Sequence, residues 1–335
     1  MSAYCYSTLS ELPSAGFSQA AKKLLFGSGS CVVPETLPFA HADLALPINE
    51  RKTRKNSISG VQEKVLLKFE KGKFSVDDQG EFILKPIPTA PKAVFVSDIP
   101  ANEHLTMQIA RQIFKIDVAA NGVIRFLDGE LAYITKRFDR RNGEVLHQED
   151  FCQLSGRSEE SHGADYKYDA SYEEVAELMR EYCPAYRVEL PKLFYRILFN
   201  YVIANGDAHL RNFSLLQGPF GDYVLSPAYD LLNTLLHFPN EMGRTALDLF
   251  KDPDFETPEF AALGYFTEPD FVKLGECFDV AEDGVYEMIY SFHEKRQQVE
   301  DMVARSFLSP EAKARYLEIF NDRLMAFRRT KVVGC

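Results

Sequence analysis

The sequence predicts an α+β fold in two lobes, a β-rich lobe over residues 1–138 and a mainly helical lobe over residues 139–335. Two observations carry this expectation. Short β-type runs separated by glycine crowd the first part of the chain, and long apolar patterns at helical spacing fill the second. With 335 residues, 46% hydrophobic and 26% charged, the chain has the length for two units of ordinary domain size and a globular composition.

The elements follow in order. Residues 15–26 have an amphipathic pattern that Gly27-Ser28-Gly29-Ser30 interrupts, and Pro34, Pro38 and Pro47 punctuate what comes next. Arg51-Lys52-Thr53-Arg54-Lys55 reads as a solvated linker or as a docking patch for an acidic partner. Val65–Glu70 and Lys73–Val76 are strand-like and meet at Gly72, which predicts a hairpin. Phe82–Lys85, halted by Pro86, is a third strand. Residues 102–114 carry apolar side chains at helical spacing, and Asp128-Gly129 turns the chain into a strand over 131–138. Beyond it, Tyr172–Tyr182 and 190–204 read as helices, with Pro184 and Pro191 marking the break between them. Tyr223–Leu225 is a short strand, and helices are expected over Pro258–Leu263, Glu268–Cys277, 283–303 and 310–329.

Composition narrows the functional classes. A net charge of −11 gives no chain-wide attraction to nucleic acid or anionic lipid, so a nucleic-acid role would come only indirectly, through a partner. No stretch approaches a membrane span, and the first residues lack the basic start and apolar core of a signal peptide. Six scattered cysteines without C-x-x-C spacing read as reduced thiols, so the expected location is cytoplasmic.

The segment Asn205-Gly206-Asp207-Ala208-His209-Leu210-Arg211-Asn212 is the most informative one, and Asp230 follows eighteen residues after Asn212. An Asp, four residues and an Asn, then a second Asp beyond a short strand, is how phosphotransferases of the protein-kinase type assemble their centre. There the first Asp accepts the proton of the attacking hydroxyl, while the Asn and second Asp hold Mg²⁺ against the phosphates of ATP. The bare pattern also fits a surface turn. Its context favours chemistry, because 193–204 is an almost unbroken apolar run from which the loop would emerge.

Lys85, on a strand, is the candidate cation for the nucleotide phosphates, although a strand-end lysine also reaches solvent readily. Glu103 would pair with Lys85 or would favour the positive end of its own helix. Residues 57–64 are the candidate phosphate-covering loop, although with one glycine they do not form the G-x-G-x-x-G fingerprint. His209 would orient the catalytic loop or contact phosphate, or would bond the backbone.

In chain order, SISGVQEK, ILKP, ANEH, KRFDRR, QEDFCQ, NGDAHLRNFS and LSPAYDLL resemble the HipA family of bacterial toxin serine/threonine kinases over residues 57–232. The resemblance implies a two-lobed protein-kinase-like (HipA-like) fold, ATP and Mg²⁺, and phosphorylation of a protein serine. An aminoacyl-tRNA synthetase is the implied substrate, and a HipB-like helix-turn-helix antitoxin the implied partner. Residue by residue, Asp207 matches the catalytic Asp, Asn212 and Asp230 the metal ligands, and Lys85 the ATP lysine. Ser57 matches the autophosphorylated loop serine, while Ser59, Gly60, Val61, Gln62 and Glu63 fall in the loop over the phosphates. Lys136 and Phe138 fall on the hinge whose backbone meets adenine, with lysine where the family has Glu. HipA-type chains carry a longer stretch before this loop. The chain is therefore similar to the HipT branch, whose loop has two serines and whose missing subdomain is a separate small protein, HipS. A small-molecule or lipid-type phosphotransferase and a pseudokinase interaction module remain the alternatives.

Overall fold

The computed structural model describes residues 3–48, 63–90, 92–141, 143–218, 220–240 and 245–327, with 45–48 described for backbone only. Five antiparallel strands form the main sheet in the order Lys73–Val76, Val65–Glu70, Phe82–Lys85, Leu131–Lys136, Asn121–Arg125. The predicted hairpin is present. Its two turn residues, Lys71 and Gly72, have φ of 51° and 78°, the handedness that matches the twist of a two-residue β-turn.

Period-two alternation decides what this sheet offers to each side. Leu67, Phe82, Leu84 and Ile134 are fully buried on one face, where they pack with Ala21 and Leu25 of an N-terminal helix, Gln19–Phe26. Leu66, Ile83 and Thr135 stand opposite one another across three strands and line a cleft on the other face. Lys85 is two residues beyond Ile83 and so shares that face.

A helix over Ile99–Gln108 lies behind the cleft and is buried along its whole length. It starts earlier than the apolar periodicity of 102–114 suggested, with Pro100 in its first turn, and continues as a wide π-type turn over Ile109–Ile113. Ala101, Leu105, Met107 and Ile109 belong to the core of the helical lobe, together with Leu198, Tyr316 and Phe320. The helix is thus buried against both lobes.

The helical lobe contains Tyr172–Tyr182, Tyr186–Val202, Glu268–Cys277, Glu282–Glu294, Arg296–Arg305 and Pro310–Ala326. One expected break is absent and one unexpected break appears. Pro191 sits inside Tyr186–Val202, where the loss of one backbone bond is offset by Leu190, Leu193, Phe194, Ile197 and Leu198, all fully buried. The single helix expected over 283–303 is two, separated at Lys295 (φ −95°, ψ 7°), because an apolar period does not register a change of axis. The strand expected over 131–138 ends at Lys136.

Asn121–Arg125, for which no element was expected, is an edge strand of the main sheet. Glycine is required there by close approach: a Cβ on Gly122 would lie 2.8 Å from the carbonyl oxygen of Tyr6. Gln148–Asp150, Ser214–Gln217 and Tyr223–Leu225 form a small antiparallel sheet beside the 205–212 loop. Among the described residues no helix is long and apolar enough to cross a membrane.

Candidate active site

A cleft of about 460 Å³ opens between the main sheet and the helical lobe, and Lys85, Glu103, Asp207, His209, Asn212 and Asp230 all line it. The Lys85 ammonium, 3% exposed, donates to Glu103 Oε1 and to Asp230 Oδ1, each at 2.5 Å. Burial alone would lower the pKa of Lys85. The charges of Asp230 and Glu103 outweigh it and raise its pKa above the usual lysine value. For Glu103, 2% exposed, burial wins and the carboxyl is raised despite Lys85. Asp230 goes the other way. Burial opposes its charge, but Lys64, 3.5 Å from Oδ2, and Lys85 together hold it well below the carboxylate range.

The loop that follows Tyr186–Val202 is held by backbone conformation and polar side chains. Ala204 takes a left-handed φ of 55°. Its carbonyl accepts from the Thr234 N–H at 3.1 Å and from Thr234 Oγ1 at 3.0 Å. Thr234 Oγ1 in turn accepts from the Gly206 N–H at 2.8 Å. Asn205 bridges Asn200 and the Asp230 carbonyl, and its own Oδ1 accepts the Asp207 N–H at 3.2 Å. Asp230 has φ 55°, a conformation that side chains other than glycine adopt only under constraint. From the other lobe, Asn102 donates to the Asn233 carbonyl at 2.8 Å and accepts the Asn233 N–H at 3.1 Å. Asn102 and Glu103, adjacent on one helix, therefore fix the Asp230 loop and Lys85 respectively.

Asp207 Oδ1 accepts a 2.5 Å hydrogen bond from the Tyr168 hydroxyl. Asn212 donates its amide to the Asp207 carbonyl at 2.7 Å, which directs its donor inward and leaves Oδ1 as a metal-type oxygen. Asp230 and Asn212 thus present hard oxygen donors of the kind Mg²⁺ takes. No group of three His, Cys, Asp or Glu that would hold a metal occurs among the described residues. Two protein oxygens completed by phosphate oxygens and water suit Mg²⁺, which rarely sits in an all-protein cage.

His209, 5% exposed, is pushed down to about pKa 3, first by burial and then by the charge of Lys167. It is therefore neutral at pH 7, 3.7 Å from Asp207, with the ring of Tyr168 edge-on at 5.1 Å. Lys136 and Phe138 line the cleft, with Phe138 stacked obliquely on Tyr229 at 5.7 Å. The N–H groups of Lys136 and Arg137 are already donated to the Ala120 and Glu81 carbonyls. Glu63 lies outside the cleft lining, its carboxylate 3.6 Å from His41. Ser57, Ser59, Gly60, Val61 and Gln62 lie outside the described residues. Asn102, Lys64, Tyr168, Lys167 and Thr234 complete the site; Asn102 lies in ANEH and Lys64 in SISGVQEK without a role of their own there, and Tyr168, Lys167 and Thr234 carried no motif.

A strand lysine paired with a helix glutamate, facing an Asp-x4-Asn loop and a second Asp across a two-lobed cleft, defines a kinase-like phosphotransferase fold. The chain belongs to the HipA-like family: the HipA-like C-terminal domain matches residues 56–314. A Haemophilus influenzae protein named "Putative kinase" is 30% identical over 290 residues, 81% of each chain. A Sinorhizobium fredii protein, "Putative kinase Y4mE", is 34% identical over 206 residues, 58% of this chain and 46% of that one. Among solved structures, HipA in the Shewanella oneidensis HipA–HipB–operator DNA complex superposes with a TM-score of 0.64 at 20% identity, covering 89% of this chain and 74% of that one. The Helicobacter pylori proinflammatory kinase CtkA gives 0.52 at 13% identity, covering 78% and 94%. These two similarities establish the fold.

The buried pair yields a pH test. Lys85→Met leaves Glu103 buried without its counter-ion, so its folded pKa rises further above the unfolded value of about 4.3. A raised folded pKa stabilises at low pH and loses that stabilisation as pH rises through it. The variant should lose about 3–5 kcal/mol at pH 8 and less at pH 5. Lys85→Met/Glu103→Gln should show a flatter profile. Urea unfolding across this range measures it, and a penalty independent of pH would contradict the assignment.

Proposed function

We propose that the chain is an ATP- and Mg²⁺-dependent protein kinase that phosphorylates serine, the toxin of a bacterial toxin–antitoxin system of the HipT type. The observation that carries this reading is the convergence of the Lys85–Glu103 pair, Asp207, Asn212 and Asp230 on one cleft. In it, Lys85 orients the nucleotide phosphates and Glu103 holds Lys85. Asp207 takes the hydroxyl proton while the Tyr168 bond fixes its carboxylate. Mg²⁺, held by Asp230 and Asn212, would supply charge to offset the phosphates. The strand-end N–H groups are spent as far as Arg137, so an adenine edge would find its donor at Phe138 or beyond.

The HipA of the structural relative is in complex with HipB and operator DNA. For this chain the corresponding proposals are a HipB-like antitoxin and a HipS-like small protein as partners, and a cytoplasmic location. Nucleic acid would be reached through the antitoxin, consistent with the net charge of −11. The proposed substrate is an aminoacyl-tRNA synthetase. The chain contains no Trp in 335 residues, and a kinase that depletes charged Trp-tRNA is best encoded without it. Tryptophanyl-tRNA synthetase is the first candidate.

The proposal includes autophosphorylation of Ser57 or Ser59 as an off switch. A phosphoserine adds about −1.5 to −2 charges. Two unit charges about 6 Å apart at an effective dielectric of about 20 repel by nearly 3 kcal/mol, ample to weaken ATP binding more than tenfold.

Three measurements bear on this reading. Asp207→Asn removes the proton acceptor and Asp230→Asn weakens the metal site. Each should lower phosphate transfer on the order of a hundredfold or more, and near-native transfer by both would end the kinase assignment. Incubation with Mg·[γ-³²P]ATP and purified synthetases should label the tryptophanyl enzyme; labelling of another synthetase alone would exclude it. Mass spectrometry of the active chain after ATP should find phosphate at Ser57 or Ser59, absent in Asp207→Asn, and both Ser→Asp variants should bind ATP more weakly. An unmodified loop with unchanged ATP affinity in the variants refutes the switch.

A further inference from the structure

Among the described residues, the cations that line the cleft are matched by carboxylates, with one exception. Lys85 has Glu103 and Asp230, Lys64 has Asp230 at 3.5 Å, and Lys136 has Glu81 at 4.0 Å. Arg137 has Asp139 at 2.7 Å, and Arg211 has Asp150 at 3.4 Å. The exception is Lys167. It is 4% exposed and borders the cleft, yet no described carboxylate lies within ion-pair distance of its ammonium. The ammonium sits 4.9 Å from the ring of its neighbour Tyr168 instead. A buried cation without a counter-ion is costly, and burial does depress the pKa of this amine, with Asp207 opposing the change. An anion arriving in the cleft would relieve that imbalance.

The segment that carries Lys167 is fastened to the catalytic loop. The Leu210 N–H donates to the Lys167 carbonyl at 3.1 Å, the Tyr168 hydroxyl to Asp207, and the Tyr172 hydroxyl to the Ala208 carbonyl at 3.1 Å. The lysine charge is therefore tied to the loop of the proposed base, on a different element from Lys85 and Glu103.

We infer that Lys167 is a catalytic residue that binds the phosphoryl group in transit between nucleotide and acceptor. The inference rests on the phosphotransferase reading above. In the step concerned, the acceptor hydroxyl oxygen bonds to the γ-phosphorus while the bond from that phosphorus to the β,γ-bridging oxygen breaks. The bridging electron pair leaves with ADP, and the hydroxyl proton passes to Asp207. Lys85 serves the phosphates that stay on the nucleotide, and Lys167 meets the non-bridging oxygens of the group that moves, where charge shifts during transfer.

The test separates transfer from nucleotide binding. Wild type, Lys167→Met and Lys167→Arg are compared in labelling of the principal bacterial-lysate protein from saturating Mg·[γ-³²P]ATP, and in Mg·ADP affinity by calorimetry. Lys167→Met should lower the saturating rate on the order of a hundredfold or more while Mg·ADP affinity stays at the wild-type value. Lys167→Arg, which keeps the charge, should recover most of the rate. Lys167→Gln is the second neutral variant, and a cooperative urea unfolding transition reports that each protein is folded. A neutral variant with wild-type saturating rate overturns the inference. So does a parallel loss of Mg·ADP affinity, or a rise only in KM for the protein substrate. A wild-type chain that transfers no phosphate overturns the phosphotransferase reading and this inference with it, whereas an active wild type with an equally active Lys167→Met overturns this inference alone.

Discussion

The ammonium of Lys85 between Glu103 and Asp230 is the constraint on which the cleft depends. A buried charge is tolerated only where partners reach it with good geometry, and its partners here come from a helix and from a loop of the other lobe. A strand of the main sheet, the Ile99–Gln108 helix and the Asp230 loop must therefore all be in place before the pair is satisfied. The same arrangement explains why the pKa of the half-buried Asp230 is held low, since Lys64 and Lys85 both face it.

The packing holds these three elements in register. Glu103 lies on a helix that is buried against both lobes, so its position follows the helical-lobe core as much as the sheet it serves. Asn102 ties that helix to Asn233, three residues past Asp230. On the approach to Asp230, Ala228 bonds the chain at Asp117 and Ala119, which lead into the Asn121–Arg125 strand. Hydrogen bonds to the other lobe thus bracket the Asp230 loop on both sides. A positive φ at Asp230 persists because these contacts over-determine it.

The polar groups around the Asp207 loop form a connected set instead of isolated bonds. Thr234 closes on both Ala204 and Gly206, Asn205 reaches Asn200 and Asp230, and Tyr168 and Asn212 converge on Asp207. Buried polar networks of this kind specify one arrangement, because leaving any member unpaired is costly. The family relationship and the two structural similarities agree with a fold organised around this centre.

Short-range physics made much of this legible in the sequence. Alternation over Phe82–Lys85, the Lys71-Gly72 turn and the apolar run before Asn205 are local signals, and they placed Lys85, Asp207, Asn212 and Asp230 on recognisable elements. What remained hidden depends on approach between distant residues. The approach of the Tyr6 carbonyl to Gly122 has no local signal, and Pro191 looks like a break until five buried side chains offset its missing bond. Lys167 and Tyr168 form an ordinary dipeptide in the chain, and only folding sets Tyr168 on Asp207 and leaves Lys167 without a carboxylate at ion-pair distance among the described residues. The sequence by itself determined the two-lobed class and the positions of Asp207, Asn212 and Asp230 relative to its elements, because those are written in periodicity and spacing. The tertiary structure alone decided which charges meet, since burial and ion pairing depend on distances that no local pattern encodes.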